Sequence, residues 1–380
     1  MQRVLVIGAG KIGSLIAGML TDSGDYDVIV ADRDPGVATR VANGHWPRAV
    51  RSETLDAMDA DAVAACLTQR GCGAVVSCLP YYANPPVAAG ARKAGVHYFD
   101  LTEDVTSTRA VRDAADGADV AFVPQCGLAP GMISIIAAAL MSQFDEVDSV
   151  RLRVGALPAH PNNALKYALN WSTDGLINEY GNPCLAVEDG REVELQPLHG
   201  LESLVLDGIE YEAFNTSGGL GSLGESYAGR VRSMNYKTLR YPGHCVQARL
   251  LMQDLRLNED RDTLKRILER ALPETQQDVV VVYVAVSGIR DGALSERMFV
   301  RRIYPAKVAG RLWTAIQVST ASGACAVLDL VFGDADGYRG FIRQEGFSLS
   351  AVLANRFGRY YAADGDPTLA MTEMLTEKRT

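Results

Sequence analysis

The sequence predicts an α/β protein: a doubly wound parallel sheet, then a second α+β domain with a mixed or antiparallel sheet. Three observations carry this expectation. The first 32 residues run strand, glycine-rich turn, helix, strand, acid. Strand-like and helix-like stretches then alternate strictly as far as Pro124. From about residue 147 the alternation stops and strand-like runs succeed one another. A chain of 380 residues also exceeds one ordinary core, so two domains are expected.

Val4 to Ile7 is an apolar, largely β-branched run, as in a strand buried on both faces. It enters Gly8-Ala9-Gly10-Lys11-Ile12-Gly13, and a helix follows with Ile12, Leu15, Ile16, Met19 and Leu20 on one face. Asp27 to Ala31 is the second strand, ending at Asp32. This is the Rossmann dinucleotide fingerprint in its full context. Gly8 permits the tight turn, Gly10 close approach to a pyrophosphate, and Gly13 tight helix–strand packing. Helix N–H groups hold the phosphates. Asp32 is placed for the adenosine ribose hydroxyls, which predicts NAD, while Arg33 beside it leaves NADP open.

Pro35 to Asn43 reads as a short helix, and Ala49-Val50-Arg51 begins a third strand. Asp61 to Gln69 is helical, Gly73 to Pro80 a fourth strand with its exit loop, and Ala83 to Ala94 a helix. His97 to Leu101, Ser107 to Gly117 and Val120 to Pro124 complete the pattern as strand, helix, strand. Ligands of such sheets lie outside the carboxyl ends of the strands, so Ser77, Cys78, Leu79 and Pro80 are expected along the cofactor groove and Asp56 near the adenine. Val150, Leu152 and Val154 alternate with polar residues, as in a half-buried strand. Val279 to Val286, Arg297 to Ile303 and Leu312 to Val318 read as further strands, His244 to Leu255 and Asp262 to Leu272 as helices. Ala321 to Phe332 is an apolar helix expected to return the chain to the first domain. The boundaries read 1–128, 129–320 and 321–380.

The net charge of −9 disfavours non-specific binding to nucleic acid or anionic membranes. No apolar run approaches the length of a membrane span, residues 1–20 do not read as a signal peptide, and the seven scattered cysteines suggest neither a metal site nor disulfides. Reduced thiols point to the cytoplasm.

Three stretches carry candidate chemistry. Cys126 to Met132 follows the sixth strand and faces the groove, or is a plain interdomain connection. Asp100-Leu101-Thr102-Glu103-Asp104 offers carboxylates for an amine or a base, though helix capping accounts for them equally well. Arg230, Arg232, Lys237, Arg240 and His244 form a basic cluster suited to substrate carboxylates, or a solvated face.

Together these stretches resemble the saccharopine dehydrogenase family, which includes the lysine 6-dehydrogenases. The matching runs are Gly8 to Gly13, Leu79-Pro80-Tyr81-Tyr82, Asp100 to Asp104, Cys126 to Met132, Trp171 to Ile177 and Tyr236 to His244. At Ala129 the chain departs from the fungal members, which carry Asp. The resemblance implies NAD(P)-dependent oxidation at a C–N bond of a lysine-derived amine, and a homodimer joined through the second domain. That chemistry needs a base or a route to water: Tyr81, Asp100, Cys126 and His244 are the catalytic candidates, with Glu103 and Tyr82 also able to serve, or positioning suffices with no essential acid–base residue. Tyr82, Lys166, Trp171, Arg230, Lys237 and Arg240 fall to the substrate. Lys166 resembles saccharopine-type members, and the abundance of cations suits the three carboxylates of saccharopine. Lysine 6-dehydrogenation is the alternative, and a non-catalytic NAD(P)-binding sensor or scaffold a third reading.

Overall fold

The computed structural model describes residues 1–362. Its first half is built from β1 (Gln2–Ile7), α1 (Lys11–Ser23), β2 (Tyr26–Asp32), α2 (Pro35–Ala42), β3 (Arg51–Thr54) and α3 (Ala60–Arg70). Then come β4 (Ala74–Ser77), α4 (Asn84–Ala94), β5 (His97–Asp100), α5 (Val105–Ala114), β6 (Ala121–Val123) and α6 (Ile133–Met141). The strands lie in the order β3-β2-β1-β4-β5-β6, all parallel. This order reverses direction between β1 and β4, and the crevice outside their carboxyl ends is where such sheets bind ligands.

The second half contains β7 (Glu146–Pro158), α7 (Thr173–Gly181), β8 (Cys184–Glu188), β9 (Arg191–Leu195), β10 (Glu202–Leu206), β11 (Ile209–Asn215), α8 (Leu223–Tyr227) and β12 (Val231–Arg240). It continues through α9 (His244–Arg249), α10 (Arg261–Ala271), β13 (Asp278–Arg290), β14 (Ala293–Ile303), β15 (Ala306–Val308) and β16 (Arg311–Trp313). Its sheet is mixed, in the order β10-β11-β12-β7-β13-β14, with β8 paired to β12 and β9 to β8; β12 and β7 are parallel, β7 and β13 antiparallel.

The stretch 312–318 is not one strand. β16 ends at Trp313 and α11 (Ala315–Gly333) starts two residues later. Thr314 and Gln317 form a reciprocal capping box, and Asp278 accepts the N–H groups of Ala315 and Ile316. Those caps satisfy helix-end donors that a strand would not present. β7 is likewise not half-buried: Val150, Leu152 and Val154 are buried, and Arg153 with them, its Nε on Glu202 at 2.5 Å. By length and composition α11 is the one described helix able to cross a membrane, but most of it is buried between the two sheets. It packs on α1 and β5 on one side and on β13 on the other. After it, β17 (Gly340–Phe341) joins the first sheet beside β6, and α12 (Leu349–Ala354) follows. Part of the 321–380 segment, residues 363–380, lies outside the described residues.

Candidate functional site

A cleft of about 300 Å³ opens between the carboxyl ends of the parallel strands and the second sheet. From the first half it is lined by Ile12, Cys78, Leu79, Pro80, Tyr81, the Leu101-Thr102-Glu103 loop and Gly127 to Pro130. Trp171, Asp174 and Glu179 face it from around α7, and Tyr236, Thr238 and Arg240 from β12.

The glycine turn is built for an anion. Gly8 has φ +99°, and a Cβ there would meet the Cys78 carbonyl at 2.7 Å. At Gly13 a Cβ would sit 1.9 Å from the Gly8 carbonyl oxygen. A Cβ at Gly10 meets nothing within 4 Å, so that side of the turn is open. α1 has no side-chain cap and no acid in its first turn, whereas α2, α3 and α5 are capped by Asp34, Asp59 and Asp104. Its terminal N–H groups and dipole are therefore left for a phosphate. Asp32 at the end of β2 accepts the N–H groups of Ala9 and Asp34, both at 3.0 Å, which ties the ribose-side acid to the turn. These residues fit a dinucleotide. Lys11 reaches across to Glu274 at 2.6 Å, while Arg33 and Asp56 lie on the surface near the same strand ends. Ser77 is buried beneath the groove, its hydroxyl on Asn84.

Three of the four catalytic candidates do not reach the cleft. Asp100 is fully buried and its carboxylate is spent on the backbone: it accepts from the Tyr98 hydroxyl at 2.7 Å, Thr102 N–H at 2.9 Å and Gln125 N–H at 3.0 Å. Cys126 lies behind the loop with its Sγ 3.0 Å from the Val123 carbonyl and 3.3 Å from the Gln344 amide, and burial pushes its thiol well above the usual range. His244 is enclosed against Tyr180 and the Leu165 carbonyl, and burial pushes it down to about 3, so it is neutral. Tyr81 does line the cleft.

The basic cluster also divides. Side chains alternate along a strand, so Tyr236, Thr238 and Arg240 share the cleft face of β12 while Lys237 points away. Its ammonium sits on the Gly200 carbonyl and Glu202. Arg232 pairs with Asp148 at the far end of β12, and Arg230 stacks on Tyr227. Lys166 donates to the Pro242 carbonyl, and Tyr82 is exposed beside Tyr81. Of the substrate candidates, Trp171 and Arg240 remain at the cleft.

Two carboxylates take the place of those cations. Burial pushes Glu103 up to about 7, with Asp104 and Asp100 adding to the rise. Glu179 is likewise raised to about 7 by burial; Arg240 opposes this and Glu103 reinforces it. Glu179 was not singled out in the sequence: it sits on a helix that reads as ordinary, and its companions come from other elements. A cleft with carboxyl groups poised near neutrality is where proton chemistry concentrates.

A family model for the saccharopine dehydrogenase NADP binding domain matches residues 4–123, and one for the saccharopine dehydrogenase C-terminal domain matches residues 127–351. Glutamyl-tRNA reductase of Frankia alni is 36% identical over 140 residues, covering 31% of this chain and 28% of its own. The mitochondrial alpha-aminoadipic semialdehyde synthase of Mus musculus is 22% identical over 200 residues, covering 51% and 21%. The chain thus spans less than a third of the length of either relative. Apo saccharopine dehydrogenase (L-Glu forming) from Saccharomyces cerevisiae shares the fold, with a TM-score of 0.74 at 17% identity over 95% of this chain and 96% of that one.

Proposed function

This chain belongs to the saccharopine dehydrogenase family, and we propose that it oxidises a C–N bond of a lysine-derived amine with a nicotinamide dinucleotide. The observation that carries the reading is the charge of the cleft. Among the described residues lining it, Arg240 is the one Lys or Arg, against Glu103 and Glu179, while Asp174 is paired with Lys265. Arg240 suits a single substrate carboxylate, and the carboxylates suit an ammonium. The nicotinamide, when bound, supplies the hydride acceptor. The protein's part is to hold the substrate carbon in place, to receive the amine proton and to keep the pocket walled off from bulk water.

Saccharopine was favoured by six cations, of which five lie elsewhere. Each unpaired buried carboxylate costs several kcal/mol, so the charge balance now favours L-lysine, with one carboxylate and a primary ε-amine. Saccharopine oxidation with release of glutamate is the second reading; family membership and the named activity of the yeast structure support it. Product analysis with NAD⁺ separates them: ammonia from lysine supports the first, glutamate from saccharopine the second. Flat absorbance with both supports a non-catalytic NAD(P)-binding role.

For the cofactor, Asp32 favours the free 2′-hydroxyl of NAD, while the exposed Arg33 and the matched domain's name speak for NADP. NAD is the proposed cofactor, and equal kcat/KM with both would remove that preference. The family reading also proposes a cytoplasmic homodimer, which light scattering at micromolar concentration checks in its oligomeric part.

A further inference from the structure

Glu179 is a carboxylate with one oxygen, the buried Oε2, that no hydrogen bond reaches. The nearest cationic group, Nη2 of Arg240, stops 3.9 Å away, a distance that leaves charge attraction but no hydrogen bond.

The reason lies in a chain of donors with only one consistent direction. The Leu165 carbonyl, 2.7 Å from His244 Nδ1, can only accept, so Nδ1 carries the ring proton. The neutral ring then accepts at Nε2, and the Tyr180 hydroxyl, 2.9 Å away, must donate to it. The Tyr180 oxygen is thereby turned to accept Nε–H of Arg240, also at 2.9 Å. Nη1 of Arg240 is taken by the Leu239 carbonyl, and its guanidinium lies over the Tyr167 ring at 4.8 Å. Arg240 is pinned on three sides and cannot close on Glu179.

We propose that Glu179 accepts the proton of the substrate ammonium, and that Tyr180 and His244 are positioning residues that keep Arg240 from neutralising it. This rests on the C–N oxidation proposed above. In the step, one N–H bond of the ammonium breaks and its electron pair stays on nitrogen. An O–H bond forms at Glu179; the ammonium and the carboxylate each become neutral, and nothing is oxidised. The ionisable groups facing Glu179 are Arg240 and Tyr236 from β12, Glu103 from the loop after β5, Tyr167, Tyr180 and Cys184.

The test uses the full-length protein with NAD⁺ and whichever of L-lysine and saccharopine it oxidises. Glu179→Gln is expected to lower kcat by about 100-fold or more, leave KM for NAD⁺ unchanged and flatten the acidic limb of the pH profile. Tyr180→Phe frees Arg240 to pair with Glu179, so the acidic limb should move to lower pH. Full kcat with an intact limb in Glu179→Gln overturns the proposal. If the unmodified protein oxidises neither amine, the C–N reading itself fails. Infrared difference spectra of wild type against Glu179→Gln without substrate then decide separately. A protonated carboxyl persisting to about pH 7 supports the unpartnered site, and one lost below about pH 5 overturns it.

Discussion

Asp100 and Glu179 are two enclosed carboxyl groups, one behind the cleft wall and one lining the cleft, and they do opposite things. Asp100 ends β5 and accepts three hydrogen bonds, two of them from backbone N–H groups of separate loops. It knots the exit of β5 to the exit of β6. Glu179 has the same burial-driven rise in pKa but Oε2 accepts nothing. Buried polar atoms are almost always paired, and an unpaired carboxylate oxygen that lines a cleft is free to meet a ligand. Burial and an elevated pKa are shared by both; hydrogen-bond satisfaction separates architecture from chemistry.

That contrast can be broken most forcefully at Asp100. Asp100→Ala strands the Tyr98 hydroxyl and the N–H groups of Thr102 and Gln125, and should cost about 3–5 kcal/mol in urea denaturation. Glu179→Gln should cost less than about 1 kcal/mol there, because no protein bond to Oε2 is lost. Similar losses in the two variants would dissolve the distinction. On the substrate side, Arg240→Ala should raise substrate KM by about 100-fold, roughly 2.7 kcal/mol, with KM for NAD⁺ unaltered. An effect confined to NAD⁺ would move Arg240 to the other half of the cleft.

A pH-dependent effect comes from His244, the neutral end of the relay. Its folded pKa is lowered from 6.5 to about 3. The stability from keeping it neutral is therefore fully present above about pH 6.5 and is lost as pH falls toward 3. The slope is about 1.4 kcal/mol per unit. Denaturation across that window should show His244→Gln gaining on wild type as pH falls; parallel curves would mean that the imidazole is charged in the fold. Smallest of all, Lys166→Ala should change substrate KM by less than about twofold, since Lys166 sits on the Pro242 carbonyl away from the cleft. A tenfold rise would restore it to the substrate site.

The βαβ opening was legible because each of its signals is local: a buried strand, three glycines at fixed spacing, a periodic helix and an acid. The second sheet was legible as strands but not in its details. Residues 312–318 look apolar enough for a strand, and the Thr314–Gln317 capping pair within them was the overlooked sign of a helix start. Strand alternation alone would have separated Lys237 from Tyr236, Thr238 and Arg240 once 231–240 was read as one strand. Asp100, Cys126 and His244 lie away from the cleft for a different reason. What occupies Asp100 comes from Gln125, what covers Cys126 comes from Gln344, and what encloses His244 comes from Tyr180 and Leu165. Such partners meet only after the chain has folded, so residue types alone could not place these side chains behind the wall.

α11 bears on how the cleft can work as a machine. One 19-residue helix lies against α1 and β5 of the nucleotide half and against β13 of the other. Its first turn is bolted to the second sheet by Asp278, and Asp329 near its far end holds the Tyr26 hydroxyl of β2. It is a brace fixed at both ends, so swinging the halves apart would tear a buried interface rather than bend a linker. Traffic through the cleft then falls to the rim, where the solvent-exposed Lys11–Glu274 bridge spans from the phosphate-side helix to the opposite lip. Ionic strength weakens such an exposed bridge and leaves the buried brace untouched, so the two fastenings between the halves differ in what can loosen them.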